Sequence, residues 1–378
     1  MSLSPLTIRN STCTVPIVQG GMGVGVSMAG LAAAVSREGG LGTISSACLD
    51  RLVSRRVGRK VDSREAARLE VREAKAAGEF PIAINVMVAL DSTYEASVLG
   101  AMDGGVDVVV SGAGLPLRLP SVIAGHPRAD EVGLVPIVSS VRALRLLCQR
   151  WRKAGRMPDA AIVEGPLAGG HLGWKTSTEL HDPDNRLENL LEPVLEAASE
   201  FGGFPVIAAG GVFTREDVLR TISLGAAGVQ MGTRFLATVE SGASDEYKRA
   251  VVDCTHEAIL VAQSPGSPCG LPFRVLTTSP MYRQAVAGGR TPLCDKGYLA
   301  YGRAKCAASS DASKYFCICN GLLSSAGYNG DEEAALYTVG ANAHRVDRIL
   351  PVAQLMAELT GETATRGTSN RSALAAAA

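Results

Sequence analysis

The sequence predicts a (β/α)8 barrel, in which eight parallel strands alternate with helices. Three observations support this fold: eight short apolar runs, helical patterns between them, and the placement of all eight runs within residues 16–231. Apolar runs without polar alternation are typical of strands buried on both faces, as in a parallel sheet. The count of eight favours a closed barrel over a doubly wound open sheet, which usually has fewer strands and one early glycine-rich dinucleotide turn.

Each element follows from its local pattern. The predicted strands are residues 16–19, 41–44, 82–86, 107–111, 134–138, 160–164, 205–209 and 228–231. The predicted helices between them are residues 27–37, 63–77, 141–154, 187–200 and 214–224. Two glycines end the first helix, and Ser63 opens the second. Thr214, with Asp217 three residues later, forms a capping pattern at the last of them.

The regular alternation of predicted strands and helices ends after the eighth apolar run. Residues 241–340 are richer in proline and cysteine, and we predict that they form an inserted lid over a barrel built from residues 1–240. Residues 351–359 predict one more amphipathic helix with proline at its first turn, so that residues 341–360 would complete the outer ring. Residues 364–378 show little apolar periodicity before a closing alanine run, which predicts a disordered tail.

Composition argues against several classes of partner. The chain has 37 Lys and Arg against 37 Asp and Glu, and only 4% aromatic residues, which disfavours nucleic acid and anionic membranes. The first ten residues contain no apolar signal segment, and no apolar run reaches the roughly 20 residues of a membrane span. Nine scattered cysteines then favour reduced thiols and a cytoplasmic location. Assembly as a homodimer stays open.

The active site of a barrel lies where its strands end, so these positions are the candidates for chemistry. Gly210 and Gly211 expose backbone before a helix, and Gly232 and Thr233 do the same after the next strand. Backbone amides near a helix N-terminus, with one hydroxyl, suit a phosphate group. The alternative is that these glycines only form tight turns.

His171 is the candidate catalytic base. It follows the sixth predicted strand, and Gly169 and Gly170 before it would let a flat ligand approach the backbone. A neutral imidazole is suited to remove a proton from a carbon acid. The alternative is a structural histidine that holds its loop. The other histidines follow no strand and are expected at the surface or in structural roles: His126, His181, His256 and His344.

These motifs together resemble the nitronate monooxygenases, formerly called 2-nitropropane dioxygenases. The resemblance rests on PIVQGGMG, the asparagine of IAINV, EGPLAGGHLG, VIAAGGVFT and GVQMGTRF, and it covers roughly residues 14–276. The FMN-dependent enoyl-acyl-carrier-protein reductases belong to the same superfamily. The resemblance implies a barrel that binds FMN without a covalent bond.

The resemblance also assigns roles to residues. His171 matches the base that removes the proton next to a nitro group, after which the nitronate, flavin and O2 yield a carbonyl compound and nitrite. The substrate would be a nitronate or another apolar carbon acid. The residues that match the family's flavin and phosphate contacts are Gly21, Met22, Asn85, Gly169, Gly211, Gln230, Met231, Gly232 and Thr233. Glu164, Gly170 and Gly210 complete the predicted cofactor site from their positions at strand ends.

Two departures leave the reaction open. Glu164 stands where many relatives have glutamine, and the loop after the fourth strand, GAGLP, lacks a lysine that some monooxygenases carry. A carboxylate beside a flavin would disfavour an anionic reduced form unless it is paired or protonated. The alternatives are an NAD(P)H-dependent reductase of enoyl thioesters or quinones, and a barrel that binds a phosphorylated metabolite without redox chemistry.

Four cysteines of the predicted lid form a weak metal motif: Cys294, Cys306, Cys317 and Cys319. Zinc usually prefers pairs separated by two to four residues, whereas KYFCICNGL provides C-x-C. We therefore expect buried thiols and no metal, with zinc or an iron–sulfur cluster as the alternative.

Overall fold

Eight parallel strands form the centre of the computed structural model, which describes residues 3–289, 306–329 and 333–362. These strands are β3 (Ile17–Gln19), β4 (Gly42–Ser45), β5 (Ile82–Met87), β6 (Val108–Gly112), β7 (Gly133–Val138), β8 (Ala161–Glu164), β10 (Val206–Ala209) and β11 (Gly228–Met231). They pair in the order β3-β11-β10-β8-β7-β6-β5-β4, and a parallel bridge between Val18 and Leu41 closes the ring. The predicted (β/α)8 barrel is confirmed.

Helices surround this barrel. They are α1 (Ala29–Arg37), α2 (Leu49–Val57), α3 (Ser63–Ala76), α4 (Asp91–Gly104), α5 (Leu119–Ile123), α6 (Val141–Lys153), α7 (Ser177–His181), α8 (Leu187–Glu200), α9 (Arg215–Ser223), α10 (Thr233–Leu236), α11 (Asp245–Val252), α12 (Pro280–Val286), α13 (Ile318–Ser325) and α14 (Val352–Thr360). The remaining strands are β1 (Leu6–Ile8), β2 (Ser11–Cys13), β9 (Gly170–His171), β12 (Ile259–Ala262) and β13 (Phe273–Leu276).

The strand predictions are confirmed to within one residue at every end. The reason is that both faces of each barrel strand are buried, so the sequence shows unbroken apolar runs. The caps are partly as expected. Thr214 and Asp217 form a reciprocal capping box at α9, whereas Asp62, rather than Ser63, caps α3 by accepting a hydrogen bond from the Glu65 N–H.

Of the helices before β11 that have eight or more residues, α2 and α4 were not predicted from the sequence. In α4 the helical face that packs inward includes small residues, so its apolar pattern is weak. Gly100 shows why they are needed: a Cβ at this position would lie 2.0 Å from the Arg64 carbonyl oxygen of α3. Close approach of two helices therefore replaces the broad apolar stripe that usually marks a helix.

The two ends of the barrel are covered differently. The hairpin of β1 and β2 closes the amino end, where Leu6 and Ile8 pack with barrel residues such as Val135 and Ile162. At the carboxyl end, β13 pairs with β12 on one side and with β9 on the other to form a three-stranded antiparallel sheet. Because β9 belongs to the loop after β8, this small sheet joins the segment beyond the barrel to the barrel mouth.

The predicted domain division stays a prediction. Helix α14 packs against α1 through Leu355 and Met356, which share a core cluster with Leu31 and Val35. The predicted tail, residues 364–378, lies outside the described residues. Within the described part of the chain, no helix has the length and apolar character needed to span a membrane.

Candidate functional site

A cavity of about 560 Å³ lies across the carboxyl ends of the barrel strands. Every residue that the sequence singled out for catalysis or cofactor binding lines it. These residues are Gly21, Met22, Asn85, Glu164, Gly169, Gly170, His171, Gly210, Gly211, Gln230, Met231, Gly232 and Thr233. The structure thus brings together residues that are more than 200 positions apart in the chain (233 − 21 = 212).

The turn after β3 is held by two polar side chains that sequence analysis missed. Gln19 Nε2 donates to Ser27 Oγ at 2.8 Å, and the same hydroxyl accepts from the Met22 N–H at 2.9 Å. The Gln19 amide oxygen accepts from the Thr43 N–H at 2.9 Å, which ties the turn to β4. The sequence signal was the polar residue Gln19 at the end of the apolar run 16–19, and the structure shows that this residue is buried.

Asn85 offers an unsatisfied acceptor to the cavity. It lies on β5, and its Nδ2 donates to the Gly21 carbonyl at 3.3 Å. Its Oδ1 is buried and has no hydrogen-bond partner within the described chain. Buried polar atoms are normally paired, so this oxygen indicates a ligand that brings a donor. A side chain at Gly21 would collide here, because its Cβ would lie 2.3 Å from that of Asn85.

The turns after β10 and β11 form the opposite end of the cavity. Gly210 and Gly211 have φ values of 93° and 97°, which favour glycine, and α9 begins shortly after them. Thr233 Oγ1 accepts from the Gly340 N–H at 2.9 Å, and its own proton remains available. Asn342 Nδ2 donates to the Gly211 carbonyl at 2.6 Å. Residues 340–342 therefore close this end, and sequence analysis missed them.

His171 lies in β9, directly opposite Phe273 of β13. Its ring centroid is 4.6 Å from that of Phe273, and its Nε2 is 2.8 Å from Ser267 Oγ. Ser267 also accepts from the Cys269 N–H at 3.1 Å. In the tautomer that carries its hydrogen on Nε2, the histidine donates to Ser267 and keeps a lone pair on Nδ1. Burial lowers the pKa of His171 to about 4, so the ring is neutral at pH 7.

Glu164 ends β8 and shares the cavity wall with His171. Burial raises the pKa of Glu164 to about 7, against the opposing effect of the Arg274 charge. Arg274 lies on β13, where burial lowers its pKa to about 10. It donates to the Pro166 carbonyl at 3.0 Å and also to the Ala168 carbonyl. Arg274 therefore fixes the loop between Glu164 and His171 from outside the barrel.

The lid cysteines give no metal site within the described residues. No group of three or more His, Cys, Asp or Glu side chains there could hold a metal ion. Cys294, one of the four predicted cysteines, falls outside the described ranges. Cys317 is buried at the start of α13, and Cys319 lines the cavity.

A closed (β/α)8 barrel with a glycine-rich cavity and a half-buried neutral histidine at its mouth defines a barrel enzyme. The family comparison identifies which class of barrel enzyme it is. The chain belongs to the nitronate monooxygenase family, whose model matches residues 4–362. The protein is therefore an oxidoreductase, which removes the alternative of a barrel without redox chemistry.

Individual relatives span two kinds of activity. The nitronate monooxygenase of Pseudomonas aeruginosa is 28% identical over 92% of this chain and 95% of its own. A (3aS,4S,5R,7aS)-5-hydroxy-7a-methyl-1-oxo-octahydro-1H-indene-4-carboxyl-CoA dehydrogenase of Mycobacterium tuberculosis is 31% identical over 70% of this chain, but the match spans only 63% of that relative's length. The solved nitroalkane oxidase of Streptomyces ansochromogenes has a TM-score of 0.65 and 26% identity, over 94% of this chain and 96% of its own.

Proposed function

We propose that this protein is an FMN-dependent oxidoreductase that oxidises alkyl nitronates and nitroalkanes to carbonyl compounds and nitrite with O2. The observation that carries the proposal is the neutral His171, placed on the wall of a cavity whose other end is bare backbone. The relatives named for nitronate and nitroalkane oxidation support this substrate class.

The residues present fit FMN. Gly211, shortly before α9, and Thr233, the first residue of α10, would hold the phosphate with backbone amides and one hydroxyl. The orphaned Asn85 oxygen would accept from a ring N–H, and the Gly21 backbone packs directly against Asn85 on the cavity wall. When bound, FMN would supply two-electron redox chemistry and reactivity with O2.

Thr233→Val tests the phosphate assignment. The change keeps the side-chain shape but removes a hydroxyl donor and the acceptor for the Gly340 N–H. Loss of one or two such hydrogen bonds is expected to weaken FMN binding by roughly 10-fold, measured by fluorescence titration of the flavin-free protein. Thr360→Val is the matched control, because that hydroxyl bonds only within α14. Equal FMN affinity for wild type and Thr233→Val would contradict the assignment.

His171 would move the proton in this reaction. A neutral nitroalkane must lose a proton from the carbon next to the nitro group, and an unprotonated imidazole can accept it. The cavity lining includes Leu90, Leu115, Ile318 and Leu322, which would hold the apolar part of the substrate and exclude water.

Anaerobic mixing of the FMN-loaded protein tests the proposed reaction. Propyl-2-nitronate is expected to bleach the flavin absorbance, and NADPH is expected to leave it unchanged over the same time. Readmission of O2 should then restore the absorbance and release nitrite. Bleaching by NADPH alone would contradict the proposal.

A second candidate is an NAD(P)H-dependent FMN reductase that acts on an enoyl thioester or a quinone. The Mycobacterium tuberculosis relative, which is named as a carboxyl-CoA dehydrogenase, favours this second candidate. The carboxyl group of Glu164 favours it as well. The same anaerobic experiment distinguishes the two candidates, since their reductants differ.

A further inference from the structure

The Glu164 carboxyl lines the cavity and has no direct partner among the residues that the structure describes. It is half-buried at the end of β8 and lines the cavity. Among the described residues, no hydrogen bond or ion-pair contact reaches its oxygens. It is also the one carboxyl group among the described residues that line this cavity. A ligand in the cavity would therefore meet this group directly.

Arg274 acts on Glu164 across a gap. Its Nη1 is engaged by the carbonyls of Pro166 and Ala168, so the guanidinium is anchored to the loop rather than to the carboxyl group. The positive charge lowers the pKa of Glu164, but burial raises it more, to about 7. The carboxyl group is thus divided between its neutral and charged forms near neutral pH.

The surroundings single out Glu164 as a proton-binding acid of the cavity. On the neighbouring strands, Val138 of β7 and Ala209 of β10 bring no charge. Of the ionisable groups that face it, His171 stays neutral above about pH 5 and Arg274 stays charged. The other ionisable groups that line the cavity are Arg234, Tyr247 and the thiols of Cys48, Cys269 and Cys319. Arg234 pairs with Glu358 at 2.8 Å. Burial raises the pKa of Tyr247 to about 12.

We propose that Glu164 binds an anionic ligand as a neutral carboxylic acid, so that an anion and a proton enter the cavity together. The balance is simple: a carboxylate, one proton released by the buffer acid and one anion give a carboxylic acid that donates a hydrogen bond to the anion. A carboxylate facing the same anion would repel it, whereas a hydrogen bond to a charged acceptor is among the stronger ones. The inference rests on the proposed function in that a nitronate is such an anion.

Isobutyrate and isobutyramide test this inference without turnover. Isobutyrate resembles propyl-2-nitronate in shape and charge, and isobutyramide is its neutral counterpart. Calorimetry of the FMN-loaded protein in two buffers of different ionisation enthalpy counts the protons taken up on binding. At about pH 8 we expect close to one proton per isobutyrate and none per isobutyramide. The Kd for isobutyrate should rise by roughly 100-fold between about pH 6 and about pH 9, because the neutral acid becomes scarce.

Glu164→Gln assigns the effect to this residue. It keeps a neutral hydrogen-bond donor of the same size, so isobutyrate should bind with no proton uptake and a Kd constant within about two-fold over the same pH range. Proton uptake that persists in Glu164→Gln would overturn the inference. Two results on wild type would also overturn the inference: isobutyrate binding without proton uptake, and the absence of isobutyrate binding at about pH 6. Neither result depends on whether the variant folds. Linked proton uptake without nitronate oxidation would refute the proposed function and leave the inference standing.

Discussion

His171→Ala is expected to lower the rate of nitroalkane oxidation by about 10³-fold, while oxidation of the pre-ionised nitronate falls by less than about 10-fold. The neutral nitroalkane requires removal of a carbon-bound proton, and His171 is the unprotonated imidazole on the cavity wall. The nitronate has already lost that proton. Steady-state kcat/KM with nitroethane and with ethyl nitronate measures the two losses separately.

His181→Ala is the matched control, because His181 lies exposed at the end of α7. Its kinetics and the FMN content of both variants should equal those of wild type. Equal losses on the two substrates in His171→Ala would show that His171 has a role other than taking a proton.

The pKa of His171 also fixes the acid limb of the pH profile. The neutral ring is the active form, and burial places its pKa at about 4. Nitroalkane oxidation should therefore be constant with respect to this group above about pH 5 and fall as the pH drops through 4. His171→Ala should lose this limb.

The barrel could be predicted from the sequence because its strands are buried on both faces. Each therefore appears as an unbroken apolar run, and each strand end points to the same mouth. Asn85 and His171 were found in this way. The role of Asn85 depended on the family resemblance, whereas the position and chemistry of His171 already favoured a base, with a structural histidine as the alternative.

The supports of the site could not be predicted. Ser267, Arg274 and Asn342 contact residues 96, 108 and 131 positions away, so no local periodicity relates them to the barrel. Ser267 and Asn342 lie in irregular segments and Arg274 lies on β13, in stretches that the sequence marked as a lid or as part of a late helix. The position of Arg274 follows from the pairing of β13 with β9, which is a tertiary contact.

Arg274→Met is expected to lower the free energy of unfolding by about 3–5 kcal/mol. Arg274 as a whole residue is 7% exposed, and loss of its guanidinium leaves two buried carbonyls and the Glu164 carboxyl without a positive charge nearby. Methionine preserves much of the packing volume, so the loss reports mainly on charge and hydrogen bonds. Guanidinium denaturation followed by circular dichroism measures it. Arg249→Met, at a side chain that is 65% exposed, should change stability by less than about 0.5 kcal/mol.

Adding Glu164→Gln to Arg274→Met separates the two contributions. If part of the loss comes from an uncompensated carboxyl group, the double variant should be more stable than Arg274→Met alone at about pH 7 and above, because without the Arg274 charge the pKa of Glu164 rises further above its unfolded value. Below about pH 5 the carboxyl is neutral, and the two variants should unfold alike. A loss under about 1 kcal/mol in Arg274→Met would mean that β9 and its histidine are held by the strand pairing with β13 rather than by the guanidinium.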